Sequence, residues 1–134
     1  MKKVIASPEA PTAVGPYSQA IALGNLLFCA GQIPIDPATS ELVPGDITAQ
    51  TSQVLENVGA VLRANSMTYS DVVKATVFLT DLGDFAAMNT VYARYFAEPF
   101  PARSTIQVAG LPKGANVEIE VIAAATPETT TALF

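Results

Sequence analysis

Hydrophobic and polar positions change period several times along this chain, and each change marks an element. Val4–Ala6 is a short apolar run. Ala20-Ile21-Ala22-Leu23 and Leu26-Leu27-Phe28-Cys29-Ala30 flank Gly24-Asn25, a pair that tolerates positive φ, so the stretch predicts a β-hairpin. The prolines of Gln32-Ile33-Pro34-Ile35-Asp36-Pro37 remove ladder donors and end the second strand, and a polar loop follows to Gly45. Asp46 suits an N-cap, and behind it Val54, Leu55, Val58, Val61 and Leu62 form one apolar helical stripe closed by Asn65. Val73, Ala75, Val77 and Leu79 then alternate with Lys74, Thr76, Phe78 and Thr80, the period of a strand. Asp84 is placed to cap a second helix with Phe85, Met88, Tyr92 and Phe96 on one face, ended by Pro99 and Pro101. Ser104–Val108 reads as a strand and Gly110–Gly114 as a connection. In a last strand Val117, Ile119, Val121 and Ala123 face one side, and Glu118, Glu120 and Ile122 the other.

The order βββαβαββ predicts an α+β fold: a two-layer mixed sheet with two helices on one face. The face without helices keeps apolar residues and calls for a partner. Composition strengthens that expectation. Half of the 134 residues are hydrophobic and 14% are charged, against roughly 25% charged in typical soluble domains. Apolar surface in excess of what one small domain can bury points to an interface between subunits. The length suits one domain spanning residues 1–134, with a polar tail from Thr126 expected to fray.

Charge and residue inventory narrow the function classes. The net charge is −5, which disfavours nucleic-acid backbones as partners. No stretch approaches the roughly 20 apolar residues of a membrane span, and the run after Lys2-Lys3 is too short for a signal peptide. A single cysteine rules out internal disulfides and fits a cytoplasmic location. Histidine is absent, which removes Ser-His-Asp and Cys-His nucleophile systems and the commonest zinc ligand. Chemistry must come from carboxylates, Arg, Lys, Tyr, backbone groups and water.

Arg103 follows Pro101-Ala102, where the stiffened chain can aim a planar, bidentate carboxylate binder. Glu118 lies on what reads as an adjacent strand. The pair could converge on one ligand, or form a structural ion pair with no ligand. Glu118 and Glu120 share a face and could divide acid/base work, although Glu120 could equally be solvated. Tyr17, after Gly15-Pro16, could offer its hydroxyl to a ligand or simply pack. Asn89, on the apolar helical face, reads first as a brace for a loop backbone and second as a ligand contact. Cys29, mid-strand, reads as a small buried hydrophobe. The Gly110–Gly114 loop lacks the pattern of a phosphate loop.

Taken together, Gly15-Pro16-Tyr17-Ser18-Gln19-Ala20, Gly31-Gln32-Ile33-Pro34, the Phe85–Phe96 stretch with Asn89 and Tyr92, Pro101-Ala102-Arg103-Ser104 and Val117-Glu118-Ile119-Glu120 resemble the reactive-intermediate deaminase (Rid) family. These proteins are also called YjgF-like or ribonuclease L-PSP-like, and the likeness is strongest to the RidA subgroup. It covers residues 1 to about 125 in order. The resemblance implies a chorismate-mutase-like fold and a homotrimer with clefts between subunits. It also implies hydrolysis of 2-imino acids, formed from enamines such as 2-aminoacrylate, to 2-keto acids and ammonia. By motif, Arg103 would bind the substrate carboxylate and Glu118 would position and polarise water. Tyr17 would line the cleft from a neighbouring subunit, Gly31 and Thr105 would offer backbone contacts, and Asn89 would support the wall. Two positions depart from the pattern: Ala30 stands where Ser is frequent, and Thr105 where Cys is frequent.

An imine conjugated to a carboxylate is already electrophilic, so a carboxylate anchor, a placed water and a proton route suffice, and no metal and no cofactor is expected. Three other readings share the scaffold. They are a non-enzymatic metabolite-binding or chaperone-like trimer, an aminomuconate-type deaminase and, disfavoured by the charge, an endoribonuclease.

Overall fold

In the computed structural model, which describes residues 1–126, a six-stranded sheet carries two helices. The strands are β1 (Lys3–Ile5), β2 (Ala20–Leu23), β3 (Leu26–Gln32), β6 (Val72–Leu79), β7 (Ala102–Gln107) and β8 (Val117–Ala124), in the order β1-β2-β3-β8-β6-β7. All neighbours are antiparallel except β6 and β7, which are parallel because α2 (Phe85–Tyr92) lies in the connection between them. A small ribbon of β4 (Ile35–Asp36) and β5 (Glu41–Leu42) occupies the stretch expected to be loop. The polar tail falls on residues 127–134, outside those described.

The helix-covered face holds the core. Leu27, Leu55, Leu62, Leu79, Met88 and Ile119 are fully buried. α1 (Ile47–Ala64) lays its stripe of Val54, Leu55, Val58, Val61 and Leu62 onto the sheet. Asp46 caps it, accepting the Ala49 N–H at 3.1 Å. Gly59 sits mid-helix because the Tyr69 hydroxyl, which donates to Leu55 O at 2.7 Å, fills the space a side chain would need. Among the described residues no helix is long and apolar enough to cross a membrane.

Three details differ from the periodicity. Val72, not Val73, points into the core, since a register shift between Val72 and Lys74 leaves Val73 as a bulged residue, 49% exposed. The second helix stops at Tyr92, so Phe96 reaches the core from the turn beyond it, stacked 4.5 Å from the Tyr92 ring. Asp84 precedes that helix but makes no side-chain capping bond, while Asp81 caps the preceding turn by accepting the Gly83 N–H.

Candidate active site

The motif residues assemble as two half-sites. The first is built on the open face of the sheet. Glu118 on β8 stands opposite Phe78 of β6, away from the helices, and the β8 residues on either side of it, Val117 and Ile119, are buried in the core. Its half-buried carboxylate joins Glu120, Tyr17, Gly31, Gln32 and Lys113 around a cavity of about 620 Å³. Burial, and secondarily the charge of Glu120, push the Glu118 carboxyl above its ordinary 4.5. Tyr17 is 53% exposed at the cavity wall. It is carried by an N-terminal segment that the buried Gln19 side chain clamps. Gln19 Nε2 donates to Ser7 O and Pro11 O, and its Oε1 accepts the Ser7 N–H at 2.6 Å.

The second half-site lies on the helix side. Arg103 pairs in register with fully buried Ala75, so its side chain emerges under α2. There it donates to Asn89 Oδ1 at 2.7 Å, and its guanidinium lies 4.6 Å from the Tyr92 ring centre and 5.5 Å from that of Phe85. An arginine held by one hydrogen bond and two aromatic faces is stiffened, with other donors left to face a ligand. Burial raises the Tyr92 phenol pKa, and the Arg103 charge opposes that rise. Thr105, two residues on, has a buried hydroxyl with no hydrogen-bond partner among the described residues.

This geometry corrects two expectations. β6 lies between β7 and β8, and Arg103 and Glu118 project from opposite faces, so the two do not meet within one chain and form no structural pair. Asn89 is exposed and braces the Arg103 guanidinium, not a loop backbone. Cys29 is buried in the core as expected, and burial pushes its thiol up to about 12. Sequence reading missed Gln19, Lys113 and the aromatic seat of Arg103. The Phe85/Tyr92 spacing was visible, but it gave no sign that a cation would lie on those rings. Among the described residues no three Cys, Asp or Glu side chains gather as metal ligands.

Residues 7–125 match the family described as Endoribonuclease L-PSP. The chain belongs to this family, that of the YjgF/Rid proteins. It is 47% identical over 133 residues to the 2-iminobutanoate/2-iminopropanoate deaminase of Capra hircus, covering 99% of this chain and 97% of that one. Among solved structures, RidA from the Antarctic bacterium Psychrobacter sp. superposes with a TM-score of 0.89 at 48% identity, covering 92% of this chain and 99% of the other. Escherichia coli TdcF with bound serine superposes with a TM-score of 0.88 at 46% identity, covering 92% and 99%. The α+β fold with both helices on one face is therefore that of the Rid proteins, and both half-sites of this Rid chain lie inside the matched region.

Proposed function

We propose that the chain hydrolyses small 2-imino acids to 2-keto acids and ammonia, in a cleft that two copies of the chain complete together. The observation that supports this reading is the presence of two complementary half-sites on one chain. A half-buried carboxylate with a raised pKa faces a cavity, and a braced arginine is presented elsewhere, in a chain similar over its length to a named imine deaminase. Since the two groups project from opposite faces of one sheet, the copy that supplies Glu118 receives Arg103 from another copy. β7 is an edge strand, which leaves Arg103 within reach of a neighbour. The serine held by TdcF supports a ligand with the size and carboxylate of a small amino acid.

In this scheme Arg103 binds the substrate carboxylate through its planar fork. Water held by Glu118 adds to the carbon of the protonated imine and gives up a proton to the carboxylate, forming a neutral carbinolamine. Glu118 returns that proton to nitrogen, and as the C–N bond breaks and ammonia leaves, the carbinol hydroxyl passes its proton to the Glu118 carboxylate and its oxygen becomes the keto oxygen. A carboxylate of raised pKa suits these transfers. RNA cleavage, the activity in the family description, draws no support from a chain of net charge −5 without histidine.

The test is turnover of freshly generated 2-iminopropanoate. Arg103→Ala is expected to lower kcat/KM about 30- to 1,000-fold, the equivalent of roughly 2–4 kcal/mol, and Arg103→Lys to restore only part. Glu118→Gln is expected to retain binding of a 2-keto acid and lose most turnover. Full activity in either Ala or Gln variant removes that residue from the scheme.

A further inference from the structure

We propose that Gly31 is a positioning residue, and that the side chain it lacks is what lets the Glu118 carboxylate lie against the floor of the cavity. The inference rests on the hydrolytic role given to Glu118 above, and it adds how that carboxylate is aimed.

β3 and β8 run in simple register to the pair Cys29–Val121 and resume it at Gln32–Ile119. Two residues of β3, Ala30 and Gly31, therefore stand against the single residue Glu120. This is a bulge, which twists the strand and re-aims what lies on it. On its other side β3 stays in register with the segment before β2, the Ala30 N–H donating to Gln19 O at 2.9 Å. Glu118 folds across the space left beside Gly31. A Cβ built on Gly31 would collide with Glu118 Oε2, and would stand 2.8 Å from its Cδ and 3.0 Å from its Cγ. The whole end of the side chain thus occupies the volume of an absent methyl group.

Backbone conformation does not account for the glycine. Gly15, Gly24, Gly45 and Gly114 take positive φ, and Gly31 does not. Space is the remaining demand, the close-approach use of glycine. An alanine would fit the backbone, and the three atoms nearest its Cβ all belong to the flexible Glu118 side chain, so the substitution should move chiefly Glu118. Displaced from its seat, the carboxylate turns towards solvent and loses the desolvation that raises its pKa. The charged and titratable groups around it are Glu120 on its own strand, Tyr17 from the N-terminal segment and Lys113 from the loop before β8, while the paired residue on β6 is the uncharged Phe78. None of these is altered by the substitution.

The test has one arm that does not depend on activity. In protein labelled with ¹³C at glutamate carboxyls, Glu118 is expected to titrate above 4.5 in the parent chain and nearer 4.5 in Gly31→Ala, with the melting temperature not lowered. The same midpoint in both would overturn the proposal. In turnover, Gly31→Ala is expected to lower kcat about 10- to 100-fold at nearly unchanged KM, and Glu118→Gln added to it should cost nothing more. If Glu118→Gln alone keeps full turnover while the midpoint still moves, the positioning stands and the hydrolytic role of Glu118 fails. If Gly31→Ala does not fold, the double variant Gly31→Ala/Glu118→Ala must, because the collision is with that side chain alone; a double variant that also fails to fold overturns the proposal.

Discussion

Glu118 is a carboxyl held in partial burial beside another carboxylate, and this has a thermodynamic consequence apart from catalysis. Its pKa in the folded chain lies above the unfolded value, so the folded state holds more proton across that interval. Its ionisation therefore opposes folding, and the penalty grows as pH rises from the ordinary 4.5 through the raised value. Glu118→Gln is expected to melt at a higher temperature than the parent at pH 7.5, with the difference shrinking to nothing below about pH 4. Calorimetry at the two pH values checks this, and an equal or lower melting temperature at pH 7.5 would contradict it. A site residue that weakens its own fold is what a stability–activity trade-off looks like at one side chain.

At the scale of elements, the cavity wall depends on a segment with almost no regular structure. Between β1 and β2 the chain is held by Gln19, whose buried amide closes three hydrogen bonds onto Ser7 and Pro11. Gln19→Ala leaves those backbone groups without partners, and a loss of about 2–3 kcal/mol is expected. Because the same clamp fixes the segment bearing Tyr17, KM should rise more than kcat falls. Denaturant melts give the first quantity and Michaelis plots the second. Unchanged stability would show that the backbone groups find other partners. The parallel β6–β7 pair matters in a different way. Joined through α2, it brings Asn89 and Tyr92 over Arg103, which no local signal in Pro101-Ala102-Arg103-Ser104 announces.

For the whole molecule, the open face of the sheet bears Val4, Phe28 and Ile106, 63%, 42% and 45% exposed, with no helix of the described residues over them. Such a face, together with a site split between the two surfaces of the sheet, fits the homotrimer that the family resemblance implies. Light scattering at micromolar concentration is expected to give about three times 14.0 kDa. Phe28→Glu, placing a charge on that face, should shift the mass towards one chain and abolish turnover together with it. A monomer of full activity would refute the shared cleft.

Much of this protein was legible in its sequence. The hairpin about Gly24-Asn25, the Asp46 cap, the α1 stripe and the inward alternation of Val117, Ile119, Val121 and Ala123 are local patterns, and local sterics and burial decide them. The motif residues were visible for the same reason, since each sits in a short run of unusual chemistry. Partnership was not. Whether Arg103 meets Glu118 depends on strand order and face, and β6 stands between their strands. The bulges at Val73 and at Ala30-Gly31 likewise arise from pairing between distant strands, and each changes what a side chain faces by a single-residue shift. Periodicity along one strand carries no record of its neighbour's register, so only the tertiary structure decided that Arg103 is braced by Asn89 and that Glu118 rests against Gly31.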